Sequence, residues 1–217
     1  MCRRRPLRPT SMGAMDDVGP VFAAAPPERI DLDGGVALMC PSLTRVPSAV
    51  AAINRSLDHL RPWMDWAQEP ATEAAITALF ATAGDHWDQR RDFPYSIVDT
   101  TSDEVVGGSG LHARLGPHGL EIGYWVHVDW VGRGIASAAA RALTAAAFAI
   151  DGIEQVRIQC AHDNVRSARI PAALGFRLEE VGIPEDGPCA GRLRQRWGTT
   201  RDAWVGRWDP PGPAAPR

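Results

Sequence analysis

Two glycines and an arginine stand where chemistry can begin. Residues 131–136 read Val131-Gly132-Arg133-Gly134-Ile135-Ala136. Before them, Leu120, Ile122, Tyr124, Val126 and Val128 alternate with Glu121, Gly123, Trp125 and His127, the period of a strand with one apolar face. After them, Ala138 to Ile150 is alanine-rich, with Leu143, Ala147 and Ile150 at helical spacing. Strand, glycine turn and helix start together make a seat for an anion. The first N–H groups of a helix have no partner within it, and its dipole is positive at that end. Gly132 and Gly134 carry no Cβ, so a phosphate can reach the backbone, and Arg133 adds a cation. Glu121 lies on the same strand, on the face opposite the apolar one.

A plain turn would explain the glycines as well. What favours the anion is a second element downstream. A short apolar strand, Val156 to Cys160, runs into Asn164-x-x-Ser167, then a short helix, then Gly175-Phe176. In this order the two elements resemble the acyl-CoA-binding half of the GNAT acyltransferases. That family holds the CoA pyrophosphate on a turn of the form Gln/Arg-x-x-Gly-x-Gly/Ala. The turn maps onto Val131, Gly132, Arg133, Gly134, Ile135 and Ala136, with Val131 where the family often has Gln or Arg. The later segment maps onto Asn164, Ser167, Gly175 and Phe176. Glu-Ile-Gly-Tyr-Trp-Val before the turn, and Ser56 to Ala67 upstream, look like the RimJ/RimL-type branch. The resemblance covers roughly residues 28 to 208.

The resemblance implies an α/β GNAT fold, a mixed, mostly antiparallel sheet flanked by helices, whose central strands splay apart. It implies an N-acyltransferase that moves acetyl from acetyl-CoA to a primary amine, either a protein N-terminal α-amine or a small molecule. Another acyl donor such as succinyl-CoA, or a non-catalytic acyl-CoA-binding protein, would leave the same cofactor motifs. Such transfer needs a base for the amine, donors for the oxyanion and an acid for the leaving thiolate. The resemblance points to backbone groups of Trp125, Val126 and His127 for the oxyanion and the pantetheine arm. Glu121 is the expected base, its pKa raised in a cleft shielded from water; His127 and His112 are alternatives, though a lone strand histidine is more often structural. Many GNAT enzymes carry a Tyr acid seven positions after the Asn; here that position is Pro171. Ser167 is then the candidate donor to sulfur, and it also reads as a helix N-cap. Pro171 fits within the first turn of a helix starting near Ser167. Arg166 and Arg169 can assist with phosphates or simply face solvent. Trp63 and Trp66 sit on a loop, where aromatics either wall an acceptor pocket or pack beneath the loop.

Composition narrows the alternatives. An apolar fraction of 45% suffices for a real core, and a net charge of −3 gives no case for nucleic acid. Cysteines 2, 40, 160 and 189 lack paired spacing, which argues for free thiols in a reducing, cytoplasmic setting. No apolar run approaches membrane-spanning length, so no membrane partner is expected. No metal is expected either, since Cys160 and His162 form one isolated pair. Gly132-x-Gly134-x-x-Ser137 only partly mimics a dinucleotide fingerprint and follows an alternating strand. The family admits a homodimer.

The remaining elements follow from periodicity. Residues 1–28 read as a flexible leader, 29–208 as the domain and 209–217 as a flexible tail. Ile30 to Cys40 suggests a strand or hairpin around Asp33-Gly34-Gly35. Pro47 to Leu60 is a helix with Ser48 as cap; Thr72 to Arg91 is a second, capped by Thr72, with Ile76, Leu79, Phe80 and Trp87 inward. Strands follow at Tyr95 to Asp99 and Glu104 to His112, the latter loosened by Gly107, Gly108 and Gly110. Phe176 to Val181 reads as a strand, Gly182 to Thr200 as a mobile loop and Arg201 to Trp208 as a final strand.

Overall fold

A computed structural model describes residues 19–185 and 189–208. Eight strands form one sheet: β1 (Arg29–Leu32), β2 (Val36–Met39), β3 (Phe93–Asp99), β4 (Val105–His112), β5 (Gly119–Val126), β6 (Gln155–Ala161), β7 (Arg177–Gly182) and β8 (Arg194–Thr200). Their order in space is β1-β2-β3-β4-β5-β6-β8-β7. Every neighbouring pair is antiparallel except β5 and β6, which run parallel. Helices α1 (Val46–Arg55), α2 (Leu57–Leu60) and α3 (Glu73–Asp88) intervene between β2 and β3. α4 (Ile135–Phe148) joins β5 to β6, α5 (Val165–Leu174) joins β6 to β7, and α6 (Arg201–Trp208) follows β8.

The alternation in β5 sorts the two layers. Leu120 and Ile122 are buried against Ile135, Ala139 and Leu143 of α4. Trp125, on the other face, packs on Ala49, Ile53 and Ile76 of the α1–α3 layer. Small residues let α4 lie close to the sheet, with Ala139, Ala140 and Ala147 fully buried.

Several elements differ from their sequence reading, each for a local reason. The long helix at Pro47 breaks at Ser56, whose fully buried hydroxyl accepts the Val128 N–H at 3.0 Å. Ser48 does not cap; its hydroxyl accepts the Val105 N–H at 2.7 Å and ties α1 to β4. Thr72 does cap α3, through the Ala75 N–H, but Leu79 faces solvent. The glycines of β4 do not loosen it. A Cβ on Gly107 would lie 2.5 Å from the Trp125 carbonyl oxygen and one on Gly108 would run into the Trp125 indole, so Gly107 admits the close approach of the β5 backbone and Gly108 makes room for that side chain.

Residues 194–200, expected in a mobile loop, form β8 between β6 and β7. Residues 201–208, expected as a strand, form α6. Their i, i+4 pair Trp204 and Trp208 stacks at 5.5 Å, and Trp204 packs on Phe148 and Phe176. Residues 19–28, assigned to the leader, are fixed to the domain: Phe22 is buried against Phe93, and the Phe22 N–H bonds the Arg90 carbonyl at 2.9 Å. The rest of the expected leader, 1–18, and the tail, 209–217, lie outside the described residues.

Candidate active site

The site begins where β5 and β6 part. Their parallel ladder covers only Gly119–Ile122 against Gln155–Ile158. Beyond it β5 pairs with β4 alone and β6 with β8 alone, so a gap opens between Gly123–Val126 and Gln159–Ala161. Peptide groups alternate sides along a strand. The His127 N–H bonds the Val106 carbonyl at 2.9 Å on the β4 side, so the N–H groups of Gly123 and Trp125 point that way too. Those of Tyr124 and Val126 point into the gap. Of the expected backbone trio, Trp125, Val126 and His127, Val126 turns its N–H toward the opening, as Tyr124 does.

The glycine turn sits at the end of β5. His127 Nδ1 accepts the Asp129 N–H at 3.1 Å and starts a short 3-10 turn, Val128–Trp130. Gly132 and Gly134 then adopt φ of 80° and 77°, left-handed values that cost any residue with a Cβ. Gly134 is the N-cap of α4, and Ala138 makes the first N–H bond into that helix, to the Gly134 carbonyl. The earlier N–H groups of the turn face outward over an exposed stretch, Val131 to Gly134, while Ile135 anchors in the core. Ala136 is half-buried behind it. Arg133 lies 4.3 Å over the Trp130 ring and donates to the Asp129 carbonyl at 3.0 Å. The turn supplies what a diphosphate needs: backbone donors, room and a cation.

Across the gap, Asn164 caps α5 by accepting the Ser167 N–H at 3.1 Å. Ser167 is therefore not the cap, and its hydroxyl is free for another partner. That partner is the Tyr124 hydroxyl, at 3.1 Å. Pro171 lies inside α5, not in its first turn. Lacking an N–H, it leaves the carbonyl four residues back, that of Ser167, without its helical donor. The Tyr124 hydroxyl takes that place at 3.3 Å. Burial pushes the Tyr124 hydroxyl well above the ordinary phenol range, against the lowering effect of Ser167, so it stays a proton donor. Sequence reasoning filed Tyr124 with the apolar stripe; only its hydroxyl reveals the difference. Arg166 and Arg169 are exposed on α5.

On the opposite face, Glu121 is buried, at 4% exposure, and both its oxygens are occupied. Oε1 accepts from Arg114 at 2.6 Å and Oε2 from the Gln159 amide at 2.6 Å. Arg194 bonds Gln159 in turn. The expected base is thus the centre of a paired network. Trp66 meets Trp125 edge-on at 6.0 Å, which places one tryptophan of the α2–α3 loop beside the site. Trp63 is half-buried in the same loop. Arg192, before β8, donates to the Pro62 carbonyl at 2.6 Å and joins the two loops over this face.

Comparison with known proteins gives the family and the fold. Residues 46–177 match the acetyltransferase (GNAT) domain family. YdaF of Bacillus subtilis (strain 168), named as a candidate ribosomal N-acetyltransferase, is 42% identical over 142 residues, 62% of this chain and 73% of that protein. Among solved structures, RimL, a ribosomal L7/L12 alpha-N-protein acetyltransferase in complex with coenzyme A, superposes with a TM-score of 0.72 at 20% identity, covering 81% of this chain and 99% of that one. Mycobacterium smegmatis RimJ in complex with CoA-disulfide gives 0.69 at 21% identity, covering 80% and 86%. The chain belongs to the GNAT acetyltransferases. Its activity is acetyl transfer, as in that family.

Proposed function

We propose that this acetyltransferase modifies the α-amino group at a protein N-terminus, in the cytoplasm, with acetyl-CoA lying in the gap between β5 and β6. The observation that carries the reading is the parting of β5 from β6 after Ile122 and Ile158, directly before the Gly132–Gly134 turn. The names of RimL and YdaF support a ribosomal protein as acceptor.

The residues take roles that fit the geometry. The N–H groups of Tyr124 and Val126 meet the thioester arm as a strand would be met at a sheet edge. The N–H groups from Val131 to Ala136, with Arg133, hold the diphosphate. Bound acetyl-CoA supplies an activated acetyl group. Ser167, backed by Tyr124, hands a proton to the departing sulfur. Trp66 and Trp125, with Trp63 behind them, wall the acceptor side. A second copy of the chain is not required by any of these roles.

Titration calorimetry with acetyl-CoA tests the seat. Wild type should bind and Gly134→Trp should lose at least tenfold in affinity; equal heats would remove the assignment. Release of CoA on adding amines separates an enzyme from a passive binder. Succinyl-CoA run in parallel decides the donor.

A further inference from the structure

We propose that His112, held by Asp92, is the base that takes the proton of the incoming amine, an inference resting on the acetyl-transfer reading above. His112 Nδ1 lies 3.0 Å from Asp92 Oδ2, and Asp92 Oδ1 accepts the Ala113 N–H at 3.1 Å. Burial pushes the Asp92 carboxyl up, but the bond to His112, its charge, the Ala113 N–H and Arg114 outweigh it and leave the group below the ordinary range. An ionised carboxylate only accepts, so the proton of neutral imidazole sits on Nδ1 and the lone pair on Nε2.

That lone pair is aimed. A Cβ on Gly110 would lie 3.0 Å from Nε2, and one on Gly123 would lie 3.4 Å from it. A side chain at Gly110 would crowd the ring, and one at Gly123 would be in van der Waals contact with it. Gly123 is the first residue of β5 beyond its last pair with β6, so Nε2 stands over the mouth of the gap. No hydrogen bond to Nε2 occurs among the described residues. Glu121, the neighbour of His112 across the ladder, has no such freedom, being held by Arg114 and Gln159. The charged and titratable groups around the imidazole are Asp92 before β3, Arg114 and Glu121 on its own face, and beyond Glu121 the Arg194 guanidinium and the Cys189 thiol.

The proton balance is simple. The ammonium gives one proton to Nε2, and its freed lone pair forms the C–N bond to the thioester carbonyl carbon. The C–S bond breaks and its electron pair leaves with sulfur. The nitrogen sheds its second proton to solvent as the amide forms, Ser167 gives its proton to the thiolate and is reprotonated from solvent, and the proton on His112 returns to solvent. His112 is the catalytic residue; Asp92 is a positioning residue that fixes its tautomer.

The experiment uses the whole chain, wild type, His112→Gln and Asp92→Asn, with acetyl-CoA and decapeptides beginning in free serine or alanine. Long-range 1H–15N spectra of the imidazoles come first and need no acceptor. Acetyl-CoA should move the His112 Nε2 signal while Nδ1 stays protonated. An unmoved signal with acetyl-CoA bound by calorimetry overturns the assignment; absent binding overturns the acetyl-transfer reading and this inference with it. In turnover, His112→Gln should lose about 100-fold in kcat with acetyl-CoA affinity unchanged. The pH dependence of its rate should differ from that of wild type. Asp92→Asn should lose about tenfold in kcat, because the imidazole has lost the acceptor that fixes its tautomer. A wild-type profile in His112→Gln overturns the proposal.

Discussion

Tyr124 shows how much one hydroxyl can carry. It fills the helical bond that Pro171 cannot donate and it meets the Ser167 hydroxyl. Tyr124→Phe should cost about 1 kcal/mol of stability and roughly tenfold in kcat, with acetyl-CoA affinity within twofold. Denaturant melts and calorimetry beside turnover check both. Glu121 makes the contrasting case. Glu121→Gln removes the anion from Arg114, so stability should fall by about 1–3 kcal/mol while the rate keeps its dependence on a titrating base. Loss of that dependence in Glu121→Gln would hand the base role back to the carboxylate. Cys160 lies at the same gap, but burial pushes its thiol up to about 11, against a lowering bond from Ser167. Peptide mapping after iodoacetamide at pH 7.5 should find Cys160 unmodified in the native chain and modified once it is denatured.

At the scale of elements, the β4–β5 pair is built around a clearing. Gly108, Gly110 and Gly123 keep side chains off one face, and Trp125 and the His112 ring occupy the cleared space. Gly108→Ala would place a methyl against the Trp125 indole, so a loss of about 1–3 kcal/mol and a shift in tryptophan emission are expected. The ladder shows why β8 and α6 were harder to read than β5. β5 has a clean apolar alternation, because its Leu120 and Ile122 face the core under α4. β8 carries Arg194, Arg196 and Trp197, and it is a strand because β6 and β7 flank it and Glu179 and Glu180 pair Arg196. Burial of Trp204 against Phe148 and Phe176 decided α6. Those contacts join residues far apart in the chain, which local periodicity does not register.

Over the whole molecule, the segment before β1 is part of the core. Phe22 is 3% exposed and packs on Phe93, so Phe22→Ala should lower stability by about 3–5 kcal/mol in a denaturant melt. The Asp92–His112 pair ties the chain before β3 to the end of β4. Because the folded Asp92 carboxyl titrates below its ordinary value of 3.8, its stabilising contribution is complete above that pH and is lost as pH falls through the folded value. The difference in melting temperature between wild type and Asp92→Asn should therefore be full at pH 6 and shrink below about pH 3.8. A constant difference would mean that the carboxylate does not stabilise the fold through its charge.

The order of residues along the chain was enough to set the strand, the left-handed glycines and the helix start that follow one another from Leu120 to Ala147, because each depends on neighbours within a turn or a strand pair. It also placed a helix start in the Asn164 and Ser167 segment, though not which of the two caps the helix. Only the folded chain decided the proton chemistry. Glu121 became a buried ion pair because Arg114 and Gln159 converge on it from a loop and a neighbouring strand. His112 gained a carboxylate partner from 20 residues away and an open nitrogen over two glycines on different strands. Protonation and reach depend on distance and burial in space, and those are fixed only when separated stretches of sequence pack together.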